Sequence, residues 1–537
     1  MTRKRDDHPL ADRRRFLAAL AATSASAVAG CNGRTDSEAT TLTTTETGTT
    51  PTTTTQATET TTAGTTEASA AVRIADVSVS PSRVGQYRPA TAAVTLANDG
   101  EERIDGVMML LADDQRVGVS DFDVATGGND ATTVEFERGR VGSHELRVVV
   151  RADGDTLAEA TTTFEVEQSP EHHVSVDGTE LVCGDGTVYF GGASLANAFY
   201  PETIGIGGVG MRPAFDALAA RGIDSVRVWG FAPSWAEMDS MPEPYTYNDE
   251  WFEYFDRVVA EAKKRDIRLF VPLVNGNPAY GPVTEEDLSV NVPQFVRWAD
   301  DAQSRNDFFD SDECMKMYKD WVETLITHEN HLTGVEYRDD PTIAMWELGN
   351  EIQRSKPRIG ESIRPWIEEA GAFVKDLDDR TLLTTGSYGH QGRNAFVDEA
   401  SADPIDVVSI HYYPGPEHYD MPEDAVLDTL ESTVTTVHED VGKPLYVGEY
   451  NWGVEPEDSA PYEERADWLG RLHGVMRDRD VAATNLWTVG VAERPTSYHK
   501  AATIYAPSEE TSLDVFERHA AAMREKSTSS CVGSDGG

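Results

Sequence analysis

At 537 residues the chain is too long for one ordinary domain, and two to four are expected. Acidic residues outnumber basic ones 93 to 46, for a formal net charge of −47. Such a surface repels nucleic acid and anionic membranes, so both are excluded as direct partners.

The N-terminus reads as an address. Arg13-Arg14-Arg15-Phe16-Leu17 precedes a mildly apolar run from Ala18 to Ala29 that is too short and Ala-rich to span a bilayer. Twin arginines followed by x-Phe-Leu resemble a twin-arginine export signal. Val28-Ala29-Gly30-Cys31 resembles a lipoprotein processing box, so residues 1–30 are expected to be removed and Cys31 to carry a lipid. Residues 31–70 are mostly Thr and have almost nothing to bury, which predicts a disordered linker acting as a stalk. The expectation is an exported, extracellular protein held at the outer face of the membrane only through Cys31, and monomeric. The acidic excess is spread along the globular part and resembles the surfaces of salt-adapted proteins, where hydrated carboxylates are screened by salt.

Residues 71–168 alternate with a period of two, as in Val72-Arg73-Ile74 and Leu146-Arg147-Val148. Turn clusters such as Asn98-Asp99-Gly100 and Asp153-Gly154 separate the runs. Short strands at this spacing predict a small all-β sandwich resembling immunoglobulin-like modules. With no His/Cys ligand cluster and no Trp or Tyr stripe, it reads as a spacer rather than a sugar-binding module.

Residues 170–526 turn to strand–helix alternation. Strands are predicted at Val188–Ser194, Asp224–Trp229, Ile267–Val274, Thr342–Leu348, Thr381–Thr385, Ile405–Ile410, Leu445–Gly448 and Ala483–Trp487. Helices are predicted at Ala214–Arg221, Glu250–Arg265, Glu313–His331, Glu361–Leu377, Glu423–Glu439, Glu463–Arg477 and Leu513–Lys526. That alternation is α/β and fits a (β/α)8 TIM barrel. A doubly wound sheet is the alternative, but no Gly-rich phosphate loop follows any strand. Residues 527–537 are expected to be a flexible tail.

In a barrel, the C-terminal strand ends carry the chemistry. Those ends offer Arg227, Asn275, Asn350-Glu351, His411-Tyr412-Tyr413, Glu449 and Trp487. Glu351 and Glu449 come from strands four and seven, at roughly opposite sides of one mouth. Two such carboxylates suit glycoside hydrolysis: one protonates the leaving oxygen and the other attacks the anomeric carbon. Arg227 can hold one of them ionised, a tyrosine can donate to it, and the Trp487 indole offers a sugar a flat face.

Trp346-Glu347-Leu348-Gly349-Asn350-Glu351, His411-x-Tyr413, Tyr446-Val447-Gly448-Glu449-Tyr450 and Leu486-Trp487 resemble the strand motifs of glycoside hydrolase family 5. Within it, Ser225–Trp229, Ala262–Leu269, Asp307–Cys314 and Asp339–Ile343 are most similar to plant and fungal endo-β-1,4-mannanases. The resemblance covers 185–490 and implies a retaining enzyme needing no cofactor or metal and acting on β-mannan or a related plant polysaccharide. It implies Glu351 as acid/base and Glu449 as nucleophile, with Asn350 on the sugar 2-hydroxyl. Arg227, His411 and Tyr413 would position the carboxylates, Trp487 would floor the subsite, and Trp229 and Asn275 are further subsite candidates. The chain departs from those mannanases at Ile352-Gln353, where they usually have Pro-Arg, and at Pro414-Gly415-Pro416. Another family 5 β-glycanase, acting on β-glucan or oligosaccharides, and a non-catalytic glycan-binding surface protein stay open as alternatives.

Glu347, inside its strand, reads as a buried ion-pair partner, and Trp235, Trp251 and Trp298 as packing or loop residues. Four cysteines are too few for a disulfide scaffold. Cys183 and Cys531 flank the barrel at its two ends, where a disulfide stays an open alternative to free thiols, and Cys314 reads as a buried helical thiol.

Overall fold

The computed structural model describes residues 72–195, 211–232, 239–277, 290–389, 391–415, 421–454, 460–490, 504–505, 509–529 and 531. The export signal, Cys31, the Thr-rich linker and Trp235 lie outside the described residues.

Eight strands make the sandwich: β1 (Val72–Ser80), β2 (Arg83–Gly85), β3 (Ala90–Asn98), β4 (Ile104–Ala112), β5 (Gln115–Val124), β6 (Asn129–Phe136), β7 (Gly142–Ala152) and β8 (Asp155–Glu167). They form two sheets, ordered β1-β3-β6 and β2-β8-β7-β4-β5. Alternation does the sorting. In β3, Ala92, Val94 and Leu96 face inward against Met108, Leu110, Leu146, Val148 and Phe164.

A short three-stranded sheet follows, β9 (Val174–Asp177), β10 (Glu180–Cys183) and β11 (Gly186–Val188), which the period-two reading did not separate from the first barrel strand. It plugs the barrel floor: Val174, Leu181, Cys183 and Val188 share one core with Phe190, Phe270, Met345 and Tyr446 from the barrel interior. The barrel strand itself therefore begins at Phe190, not Val188.

The barrel strands are β12 (Phe190–Ser194), β13 (Ser225–Arg227), β14 (Arg268–Pro272), β15 (Ile343–Glu347), β16 (Leu382–Thr384), β17 (Val408–Tyr412), β18 (Leu445–Tyr450) and β19 (Ala483–Leu486). All eight are parallel in the order β16-β15-β14-β13-β12-β19-β18-β17, and a parallel bridge from Thr384 to Val407 closes the ring. This is the expected (β/α)8 barrel rather than a doubly wound sheet.

Helices surround it: α1 (Met211–Ala220), α2 (Asp249–Lys263), α3 (Val292–Trp298), α4 (Asp312–Ile326), α5 (Arg364–Leu377), α6 (Arg393–Ala400), α7 (Glu423–Thr435), α8 (Ala460–Asp478) and α9 (Glu510–Lys526). Most helix boundaries shift by a few residues from expectation, and two of the shifts have a visible local cause. α4 stops at Ile326, well short of His331, because the Asn330 side chain accepts from Leu332 and Thr333 and folds the chain into a turn. α5 starts at Arg364, after the Ser362 hydroxyl has accepted its amide, with Pro365 in the first turn. α3 and α6 were not foreseen; at seven and eight residues they are too short to show a helical period. Trp251 packs on Phe255 within α2, Trp298 on Phe295 within α3, and Cys314 is a buried thiol in α4. None of the described helices is long and apolar enough to cross a membrane.

The chain end is not loose at 527. Amides of Thr528 and Ser529 both donate to the Thr187 carbonyl, and Cys531 is disulfide-bonded to Cys183 with Cα atoms 5.9 Å apart. The sandwich docks on the N-terminal face of the barrel. Val141 N–H donates to Thr333 O at 2.9 Å, and Arg88 pairs with Asp266, just ahead of β15 and β14. The opposite face, at the C-terminal strand ends, is left for the mouth.

Candidate active site

On the floor, Phe190, Phe270 and Tyr446 meet edge to face. Arg227 sits above them, fully buried at the end of β13, and its guanidinium organises the site. Nε and Nη2 donate to the two oxygens of Glu347 at 2.7 and 2.8 Å, a bidentate pair. Nη2 also donates to Asn350 Oδ1 at 2.8 Å, and Nη1 to Glu449 Oε1 at 2.6 Å. Burial works against its charge, but Glu347 and Glu449 outweigh that and hold its pKa above the ordinary guanidinium range. Glu347 is thus the buried ion-pair partner, aimed inward because residues 345 and 347 share one face of β15.

Plain alternation would not bring Glu449 to the mouth. Tyr446 points into the barrel, while Tyr450, four residues on, points outward and bonds His473 of α8 at 2.9 Å. A bulge between Val447 and Tyr450 absorbs the odd residue and turns Glu449 inward, a common device beside active sites. Its second oxygen accepts from Tyr413 Oη at 2.6 Å. Burial pushes its pKa up to about 7, against the pull of Arg227 and Tyr413.

Glu351 reaches the mouth by a different route. Adjacent residues on a strand face opposite ways, yet Asn350 and Glu351 both face the site. Glu351 achieves this in the left-handed region, at φ 54°. Its Oε1 lies 2.8 Å from His411 Nδ1, which is also 3.5 Å from Glu449 Oε2. Burial and the negative charge of Glu449 raise its pKa well above the carboxylate range, while Arg227 and Arg305 act the other way. At 3 and 4 % exposure, neither carboxylate has bulk water to stabilise its charge.

Asn275, at the end of the third strand segment, accepts from Asn350 Nδ2 at 3.1 Å and so orients it. Trp487 directly follows β19, the eighth strand. Trp229 stacks on it at 6.1 Å and on Phe231 at 5.1 Å. At 1 % exposure Trp229 stands one layer behind Trp487, as its support. Sequence reasoning missed Tyr388, whose ring meets His411 edge-on at 6.0 Å. It lies in the loop four residues past the end of β16, within reach of the strand-end rule. Arg305 was also missed; it comes from a loop far from any strand end, with no local signal.

Oxygens of Glu351 and Glu449 and a ring nitrogen of His411 lie within 4.8 Å of one another, the one such trio among the described residues. The trio does not suit a cation. Both oxygens of Glu449 are already engaged, and a guanidinium 2.6 Å away opposes a second positive charge.

A family model described as GH family 5 beta-mannosidase-like matches residues 169–445, ending at the start of β18. The chain is 30% identical over 333 residues to mannan endo-1,4-beta-mannosidase 2 of Oryza sativa subsp. japonica, covering 56% of this chain and 72% of that protein. It is 29% identical over 304 residues to mannan endo-1,4-beta-mannosidase 5 of Arabidopsis thaliana, covering 51% and 68%. Among solved structures, the endo-1,4-beta-mannanase of Rhizomucor miehei superposes with a TM-score of 0.54 at 22% identity, covering 66% of this chain and 100% of that one. The endo-beta-1,4-mannanase of Thermotoga petrophila gives 0.52 at 21%, covering 63% and 77%; these two likenesses speak to the fold. With the family model spanning more than half its length, the chain is a glycoside hydrolase and belongs to the family 5 β-mannosidase-like group.

Proposed function

We propose that the protein is a retaining endo-β-1,4-mannanase with Glu351 as acid/base and Glu449 as nucleophile. One observation carries the reading: two carboxylates within 4.8 Å, oxygen to oxygen, in opposed settings. Retaining glycosidases hold the pair about 5–5.5 Å apart, whereas inverting ones leave roughly 6.5–9.5 Å for a water. Glu449 is clasped by a cation and a phenol, which favour its ionised form. Glu351 faces that negative charge in a dry site, which favours its protonated form. The pair then carries a single proton, on Glu351.

In the first step a Glu449 oxygen bonds to the anomeric carbon as the glycosidic C–O bond breaks, and the Glu351 proton passes to the leaving oxygen. In the second, Glu351 takes a proton from water, whose oxygen displaces Glu449. Arg227 and Tyr413 hold the nucleophile, Asn350 meets the 2-hydroxyl, His411 bridges the carboxylates, and Trp487 floors the sugar. The plant relatives are named as mannan endo-1,4-beta-mannosidases, which supports mannan as the polymer. Glu449→Gln, assayed on mannan in molar salt, should lose nearly all hydrolysis while still binding the polymer. Unchanged behaviour would mean a glycan-binding protein, and release from cellulose but not mannan by the wild type would mean another β-glycanase.

We further propose that the protein works outside the cell as a monomer, tethered by a lipid on Cys31 and adapted to high salt. The twin arginines, the box before Cys31 and the Thr-rich stretch support the tether. Cys31→Ser should release the protein from the membrane fraction into the medium, and sedimentation in molar salt tests the monomer.

A further inference from the structure

Arg305 opens a five-residue 3-10 helix, Arg305–Phe309, on the wall beyond β14 and β15. Its Nη2 donates to the Gly276 carbonyl and lies 3.4 Å from that of Gln353, so the guanidinium rests on the loops that follow strands three and four. The wall is rigid. Asn306 accepts from Ser355 N at 2.7 Å, and Arg354 donates to Asn306 O at 2.8 Å and to Asp310 at 2.7 Å. Within this frame, Nε and Nη1 of Arg305 are buried and have no hydrogen-bond partner among the described residues, and neither has Gln353 Oε1. A charged group seldom keeps two buried N–H donors unpaired unless an acceptor arrives from outside. Arg305 is close enough to Glu351 for each to act on the other's charge. Glu351 and Glu449, which must touch substrate, are likewise buried.

We propose that Arg305, with Gln353 beside it, binds the leaving-group sugar. The inference rests on the mannanase reading above. The acid stands next to the departing oxygen, so the sugar that leaves lies on Glu351's side of the mouth. The retained sugar lies over Glu449 and Trp487, on the side of strands seven and eight. Arg305 is on the first side. Sugar hydroxyls supply the acceptors that its two unpaired donor nitrogens lack, and the side-chain Oε1 of Gln353 can accept from a hydroxyl in turn.

The test separates leaving-group binding from chemistry. A nitrophenyl β-mannobioside donor forms the glycosyl-enzyme with an aryl group leaving, and mannobiose then competes with water as acceptor. In Arg305→Met the mannobiose concentration for half-maximal transfer should rise about tenfold or more, well beyond any fall in nitrophenol release measured at that variant's own pH optimum. Arg305→Lys keeps the charge but loses the fork and should show a smaller rise in the same quantity. Unchanged half-saturation in both variants overturns the inference. So does nitrophenol release that falls as far as transfer does, since Arg305 would then only support the site. If the wild type cleaves neither the donor nor mannan, the mannanase reading itself falls.

Discussion

Glu351 adopts a left-handed backbone that costs a non-glycine residue on the order of 1–3 kcal/mol. The return is placement: Asn350 and Glu351, neighbours in sequence, both face the mouth. Glu449 needs a bulge for the same end. Between them the site separates two chemically identical side chains by environment, and Tyr413 is part of that separation. Its hydroxyl lowers the Glu449 pKa, so Tyr413→Phe should raise it above about 7. Because the nucleophile must be ionised, the rising limb of kcat/KM against pH should move to higher pH. A hydrogen bond to a charged group is worth roughly 1.5–3 kcal/mol, so activity at the optimum should fall about 10- to 100-fold. A pH–rate profile on mannan checks this, and an unmoved limb would count against Glu449 as nucleophile. The limbs belong to the carboxylate pair and shift together if coupling dominates.

The strands were the legible elements. β14, β15 and β18 are short apolar runs bounded by turn residues, and their side chains announce burial on both faces. The floor sheet β9–β11 was read only at its last residue, because Val188-Tyr189-Phe190 runs from β11 straight into β12, although Asp177-Gly178 and Gly184-Asp185-Gly186 mark the turns on either side of β10. The closure of the chain end was not legible. Ser529 Oγ donates to Cys183 O at 2.6 Å, and the disulfide beside it joins residues 348 apart. A loop of that length gives, by chain entropy, on the order of 5 kcal/mol. Cys531→Ser should therefore lower the melting temperature clearly, and reductant should bring the wild type down to the same value. A thermal melt in which neither change has an effect would show that the floor sheet holds without its staple.

At the scale of the molecule, sandwich and barrel keep separate apolar cores and share buried polar contacts. The Lys263 ammonium is fully buried, and its three donors meet Gln86 of the sandwich at 2.8 Å, Ser169 O of the connection at 2.7 Å and Asp340 of the barrel at 2.9 Å. A module read as a spacer is thus seated firmly on the face opposite the mouth. The net charge of −47 belongs to this scale too. The screening length is about 3 Å in molar salt and about 30 Å at 0.01 M, so dilution turns local repulsion into repulsion across the whole barrel. Circular dichroism during dialysis from molar to low salt should show loss of structure; a spectrum that holds would refute salt adaptation.

What the sequence determined by itself was everything with a short-range cause. Period two marked the sandwich, strand–helix alternation marked the barrel, and strand ends marked Arg227, Asn350, Glu351, His411, Tyr413, Glu449 and Trp487. Those signals lie within a few residues of each other and need no fold to be read. Only the tertiary structure decided what depends on residues distant in the chain. It set one guanidinium against Glu347, Asn350 and Glu449, turned Glu449 inward through a bulge, and put Trp229 behind Trp487. It also paired Cys183 with Cys531 and carried Arg305 from a remote loop to the side of Glu351. Each of these is a contact across the mouth or floor of a closed ring, and ring closure is not encoded in any local stretch.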